Sequence, residues 1–283
     1  MALLIETVSG IGFCSGVRRT INILGKAARE YGQVETLGAA VHNQHVLQRL
    51  AQIGVSIASN IDDAKGNVVA IGTHGISPQL ESEIRALHTT VINTTCPFVH
   101  RAQTTARRLS DSGFFVIVYG EADHPEVKGI LGWAGNRGTA TLDDNFIPTI
   151  KDLPHHIGVL SQTTQMPAHF TEFAKKLIDS ALVKDAELRI IDTICHEIRE
   201  RQQSAFQLAK RVDLMFVVGS HTSANTNHLA QLCSMATKTY LIETAEEIQD
   251  SWLQEDQHVG ITGGASTSQE TIDEIVAKLE SMA

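Results

Sequence analysis

Three cysteines stand in matching local contexts, in "IGFCSGVRRT", "VINTTCPFVHRAQ" and "RIIDTICHEIRERQ": Cys14, Cys96 and Cys195. Each follows a β-type apolar run and precedes a helix-type pattern. A thiolate at a helix start is favoured by unpaired N–H groups and by the macrodipole. Metal ligands must be deprotonated, so such a corner suits one. Three thiolates hold zinc with a fourth ligand, or an iron–sulfur cluster. Structural zinc sites usually use a close cysteine pair, and no C-x2–4-C pair occurs here. A 4Fe–4S cluster is larger and can be reached from three distant corners. Three protein ligands would leave its fourth iron without a protein sulfur, a Lewis acid open to substrate. The plain alternative is that each cysteine only fills a small corner; threefold recurrence weighs against it. The fourth cysteine, Cys233 in "NHLAQLCSMATK", shares an apolar helical stripe with Leu229 and Leu232 and reads as packing.

The elements that must position these corners alternate along the chain. After Cys14, Val17, Ile21, Leu24 and Ala28 fall on one helical face. After Cys96, Val99, Ala102, Ala106 and Leu109 do the same, and Pro97 suits a first helical turn. After Cys195 the stripe is Ile198, Ala205 and Ala209, interrupted by polar Gln202. One set of strands, "NVVAIGTHGIS", "GFFVIVYGEADHPEV" and "DLMFVVGSHTSANTN", breaks at Gly into polar residues. Another, "VINTTCP", "HIGVLSQTTQ" and "HVGITGGASTS", ends in small hydroxyl-rich loops. Apolar strands separated by amphipathic helices predict βαβ units and parallel sheets. The expected fold class is α/β, with three similar modules of mainly parallel sheet: 14–96, 97–194, and 195–283 completed by 1–13. Ligand sites in such sheets lie beyond the carboxyl ends of the strands. A pseudo-threefold arrangement would aim all these loops at one central cavity; a linear arrangement also fits the pattern.

Those loops carry His42 and Asn43, His74, His124 and Glu126, Gln162, Thr163 and Thr164, Ser223, Asn225 and Asn227, and Ser266. Histidines, hydroxyls and N–H groups at helix starts make an anion site without a basic surface. Singly, a loop histidine is more often a local hydrogen-bond partner, and Ser, Thr or Asn an N-cap. The 283 residues carry 23 basic and 32 acidic side chains, a formal charge of −9, which argues against nucleic acid as the main partner. No run of about 18 apolar residues predicts a membrane span. "MALLIETVSG" does not read as a signal peptide, so the expected location is cytoplasmic.

The stretches "GFCSGV", "VHNQHV", "THGIS", "TTCPFV", "HPEV", "SQTT", "DTIC…RQ", "VGSHTSANTNHL" and "GGAST" together resemble the 4-hydroxy-3-methylbut-2-enyl diphosphate reductase (IspH/LytB) family over nearly the whole chain. The resemblance implies a trefoil of three α/β domains around a 4Fe–4S cluster held by Cys14, Cys96 and Cys195, with one open iron. It implies reductive dehydroxylation of the diphosphate substrate to isopentenyl and dimethylallyl diphosphates, the last step of the non-mevalonate isoprenoid pathway. Two electrons would come from an external donor such as ferredoxin or flavodoxin. By motif match, Glu126 delivers protons, Thr163 holds the hydroxyl and water network, and His124 joins the relay. His42, His74, His124, Ser223, Asn225 and Ser266 bind the diphosphate. Two positions depart from the family pattern: Ala224 in the late anion loop, where a serine is usual, and Ile198 after the third cysteine, where a threonine is usual. They keep open a paralogue with the same cluster and another small substrate. A non-catalytic redox or iron sensor is a third reading, with no use for Glu126 and Thr163.

Overall fold

The computed structural model describes residues 2–41, 43–88, 90–135, 137–143, 154–182 and 185–283. His42 lies outside them. The described residues contain twelve β-strands and nine α-helices. The strands form three parallel four-stranded sheets, consistent with the α/β class read from the sequence.

One sheet joins β1 (Leu3–Thr7), β12 (Gln257–Gly263), β10 (Leu214–Val218) and β11 (Lys238–Ile242), in that order. A second runs β5 (Thr90–Asn93), β4 (Val68–Ile71), β2 (Val34–Leu37) and β3 (Val55–Ala58). The third runs β9 (Glu187–Ile191), β8 (His156–Ser161), β6 (Phe115–Tyr119) and β7 (Gly138–Thr141). Read this way, the three orders are one order. The edge strand of each sheet leads to a cysteine, and each cysteine leads to a long helix: α1 (Ser15–Tyr31), α4 (Pro97–Asp111) and α7 (His196–Ala209).

The repeat corrects two details of the sequence reading: "VINTTCP" contains β5, an edge strand like β1 and β9 and not a counterpart of β8 and β12. "NVVAIGTHGIS" contains β4, which occupies the place of β8 and β12, not that of β6 and β10. The true counterpart of β6 and β10 is β2, whose four residues alternate buried and half-buried. That alternation hides it among continuous apolar strands.

The chain divides into two compact units. The first holds residues 1–18, 41–46 and 196–283. Its sheet alternates faces with a period of two. Leu214, Phe216 and Val218 pack with Ile272, Ile275 and Leu279 of α9 (Gln269–Met282). Met215 and Val217 pack with Ala205, Leu208 and Ala209 of α7, and with Leu229 and Cys233 of α8 (Ala224–Ser234). Cys233 is fully buried, as its stripe predicts, and burial raises its thiol pKa to about 12.

The second unit, 19–40 and 47–195, holds the other two sheets. Val116, Val118 and Leu160 face α4 and α5 (Pro125–Trp133), where the predicted stripe residues Ala102, Ala106 and Leu109 are buried. Ile117, Ile157 and Val159 face Phe170, Phe173 and Leu177 of α6 (Pro167–Leu182). In the smaller sheet, Val69 packs with Ile84 of α3 (Pro78–Leu87).

Helix α4 lies close on β8. A Cβ at Gly158 would stand 2.8 Å from both Cδ atoms of Leu109. Overpacking such a contact costs roughly 1–3 kcal/mol. Gly158→Val should lower the unfolding free energy by that order in urea titration, and adding Leu109→Ala should restore part of the loss.

Candidate active site

The three cysteine corners are built by one hydrogen-bonding rule. Cys14 N–H donates to Ala265 O at 2.9 Å, Cys96 N–H to Thr73 O at 3.0 Å, and Cys195 N–H to Thr163 O at 3.0 Å. Ala265, Thr73 and Thr163 follow β12, β4 and β8, the equivalent second strands. The parallel pairing of edge and second strand therefore continues past the sheet. Two corners also share side-chain devices. Asn93 Oδ1 accepts from Thr95 N (2.9 Å), and Asp192 Oδ1 accepts from Ile194 N (3.0 Å). Thr94 Oγ1 donates to Ile71 O (2.6 Å), and Thr193 Oγ1 to Ser161 O (2.5 Å). "NTTC" and "DTIC" are thus one turn written twice.

Cys14 and Cys96 are half-buried and Cys195 is buried. Cys96 caps α4 ahead of Pro97. Cys14 Sγ accepts from Val17 N at 3.4 Å. Burial nevertheless raises the Cys14 pKa, outweighing the hydrogen bonds from Val17 and Gly16; Glu197 adds to the rise and Arg201 opposes it. The helix start alone does not ionise this thiol, so a metal would have to displace the proton. Among the described residues, no group of three or more His, Cys, Asp or Glu could hold a metal ion. Each of the three cysteines stands at a corner held by backbone bonds, and a thiolate is the donor type an iron–sulfur cluster takes.

In the second unit the candidate acid follows β6 and is bound by Thr163, the residue whose carbonyl receives Cys195 N–H. Glu126 sits in the first turn of α5 and is 1% exposed. Its Oε1 accepts from Thr163 N (2.7 Å) and its Oε2 from Thr163 Oγ1 (2.9 Å). Burial pushes its pKa up to about 7, opposed by the two Thr163 bonds and aided slightly by Glu121. Thr163 thus binds the carboxyl with its N–H and hydroxyl while its carbonyl receives Cys195 N–H. His124 caps α5, its Nδ1 accepting from Glu126 N at 3.1 Å. The neutral ring proton therefore lies on Nε2. The rings of His74 and His124 meet edge to face, with centroids 5.2 Å apart. The His74 loop is held by Ile76 O, which accepts from Trp133 Nε1 (2.9 Å) and Gln103 Nε2 (3.4 Å).

In the first unit, Ser223 caps α8 and accepts from Thr226 N (3.4 Å), so the plain N-cap role is real there. Asn225 is 5% exposed, and neither atom of its amide has a hydrogen-bond partner among the described residues. An unmet buried polar group costs about 1–3 kcal/mol, and Asn225 is thereby suited to a polar ligand. Ser266 is buried, and its carbonyl accepts from Asn43 Nδ2 (2.8 Å). The loops after β10 and β12 interlock: Val218 O accepts from Gly264 N (2.8 Å) and Thr267 Oγ1 (2.7 Å). A Cβ on Gly264 would lie 2.3 Å from Thr226 Oγ1, so only glycine permits this approach.

The sequence profile of the family described as LytB protein matches residues 5–280. The chain belongs to the LytB family. Two LytB relatives named 4-hydroxy-3-methylbut-2-enyl diphosphate reductase illustrate the likeness. That of Dehalococcoides mccartyi (strain CBDB1) is 56% identical over 276 residues, covering 98% of this chain and 97% of the relative. That of Geobacter sulfurreducens is 39% identical over 271 residues, covering 95% and 94%. A solved structure of (E)-4-hydroxy-3-methyl-but-2-enyl diphosphate reductase, described as the terminal enzyme of the non-mevalonate pathway, aligns at a TM-score of 0.71. It is 33% identical, covering 99% of this chain and 100% of that one. The E-1-hydroxy-2-methyl-but-2-enyl-4-diphosphate reductase of Plasmodium falciparum shares the LytB fold at a TM-score of 0.89 and 22% identity, covering 97% and 87%.

Sequence reasoning assigned no role to several residues that build this LytB site: Gln103, Trp133 and Arg201. Asn43 and Arg201 lie within motif stretches, yet only the folded chain brings their backbone partners to them. Gln202, read as an interruption of the α7 stripe, is buried at 3% exposure.

Glu126 also links stability to pH. Its ordinary pKa is 4.5 and its folded value about 7, so the folded chain binds the proton more tightly. The associated stability is present in full below pH 4.5 and is lost as pH rises through 7. The loss is on the order of 3 kcal/mol. Glu126→Gln should remove this slope: its urea midpoint should gain on the unsubstituted protein between pH 5 and pH 8.

Proposed function

We propose that this chain is a 4-hydroxy-3-methylbut-2-enyl diphosphate reductase with a 4Fe–4S cluster held by Cys14, Cys96 and Cys195. The overall change would be the allylic alcohol plus two electrons and two protons giving the deoxygenated isoprenoid diphosphates and water. When bound, the cluster would supply the electrons and a Lewis-acidic iron free of protein sulfur.

The observation that carries this reading is the Glu126–Thr163 pair. A hydroxyl leaves poorly unless protonated, and a carboxyl with a pKa of about 7 holds a proton at neutral pH that it can release. Thr163 fixes both carboxyl oxygens from the residue that also receives Cys195 N–H, tying the acid to a cysteine corner. His124, with its proton on Nε2, is suited to hold a phosphate oxygen or to return a proton toward Glu126. His42, His74, Ser223, Asn225 and Ser266 would bind the diphosphate, anchoring the substrate so that its hydroxyl end is oriented. Ala224 and the buried Ile198 each remove one side-chain hydroxyl from the family pattern, leaving backbone N–H groups at the start of α8 to contribute. The electron donor would be external, of the ferredoxin or flavodoxin type. Among the described residues no helix is long and apolar enough to cross a membrane, in keeping with a cytoplasmic location.

Two substitutions test the assignment. Cys96→Ser should lose or destabilise the cluster, read as iron, sulfide and visible absorbance after anaerobic reconstitution; normal cluster occupancy would remove Cys96 as a ligand. Glu126→Gln should keep the cluster and lose most turnover, about 10²-fold or more for a proton donor; near-normal turnover would remove Glu126 as the acid. Assaying smaller hydroxylated analogues beside the diphosphate substrate separates this reading from a paralogue.

A further inference from the structure

Each long helix that starts at a cysteine carries an arginine five or six residues on: Arg19, Arg101 and Arg201. Their hydrogen bonds are cyclic. Arg19 of α1, the helix begun at Cys14, donates from Nη1 to Thr94 O (3.3 Å) and Thr95 O (3.2 Å), the two residues before Cys96. Arg101 of α4, the helix capped by Cys96, donates from Nη2 to Asp192 O, in the turn before Cys195. Arg201 of α7, the helix after Cys195, donates from Nη1 to Gly263 O (2.7 Å) and from Nη2 to Gly12 O (2.8 Å) and Gly10 O (3.4 Å). Gly10 and Gly12 lead into Cys14, and Gly263 leads to Ala265, whose carbonyl accepts Cys14 N–H.

We infer that Arg19, Arg101 and Arg201 are positioning residues for the three cysteines, each securing the corner that presents the next sulfur in the cycle. This rests on the cluster reading above. Carbonyls in the turns beyond a strand have left the sheet ladder and need donors from elsewhere. A guanidinium has five N–H donors in a fixed fork and can bridge neighbouring carbonyls, which an ammonium does poorly. The Cys14 corner is the longest of the three and lacks the Asx turn of the other two. It receives the most support: besides the three carbonyls held by Arg201, Glu197 of the same helix accepts from Ser15 N (2.9 Å) and from Ser15 Oγ. Glu197 and Arg201, four residues apart, share one face of α7.

The test compares reconstituted holoproteins carrying Arg19→Met, Arg101→Met, Arg201→Met and their Lys counterparts with the unsubstituted protein. Arg107→Met is the control, because Arg107 lies on α4 and faces Asp111 at 3.6 Å. Loss of partners that orient metal ligands typically costs about 10- to 100-fold in metal affinity. Each methionine variant should release iron to a chelator faster by that order and show an altered electron paramagnetic resonance signal. Apoprotein melting should change little in the Arg19 and Arg101 variants, whose arginines are exposed; Lys should rescue in part, and Arg107→Met should match the unsubstituted protein. Arg101 is exposed, so its variant decides the matter if Arg201→Met does not fold. Unchanged iron release and spectra in the folded variants would overturn the inference while leaving the cluster reading intact. Iron release that only follows an equal fall in apoprotein melting temperature would also overturn it. An unsubstituted protein that assembles no cluster would overturn both.

Discussion

Parallel pairing that continues beyond the sheet edge is the constraint on which the candidate site depends. In each sheet the edge strand and its neighbour stay hydrogen-bonded after regular structure has ended, and the last such bond is made by a cysteine N–H. The sulfur is therefore fixed beside the loop of the second strand, which carries His74, Thr163 or Ser266. Cysteine corner and candidate substrate loop are set by one register. A slip of that register would displace both together, and buried sheets resist such slips because every side chain would change face.

The second determinant is polar burial. Glu126 and Asn225 are enclosed where neither a charge nor an unpaired amide is favoured. Burial makes the carboxyl a carrier of a proton near neutral pH instead of a fixed charge. It also removes competing water from groups suited to a polar ligand. Both arrangements lower stability in return for reactivity, the usual relation at functional sites. The packed apolar faces of the sheets, with Phe173, Phe216, Leu177 and Leu208 fully enclosed, provide the rigidity that allows it.

Much of this was legible in the chain itself. The cysteine corners, the stripes of α1 and α4 and the parallel sheets follow from residue type and spacing, whereas the acid role of Glu126 came only with the family resemblance. The strand families were harder. Apolar runs that look alike, such as β4 and β6, occupy different places in their sheets, and β2 is too short and too evenly alternating to be recognised as the partner of β6 and β10. Side chains that bond to backbone carbonyls were the least legible. An arginine such as Arg101, on an exposed position of an amphipathic helix, looks like any solvated charge, and its partner lies almost a hundred residues away. Burial of Gln202 likewise depends on a tertiary environment that no helical period encodes.

β1 pairs with β12 across almost the whole length of the polypeptide. β1 thus waits for a strand far later in the chain, while the other two sheets draw their strands from nearby sequence and can mature as they emerge. Cys14 N–H has no carbonyl to dock on until Ala265 has been translated. The Cys14 corner is in this way completed only after β12 has emerged, whereas the Cys96 and Cys195 corners close on carbonyls from nearby sequence.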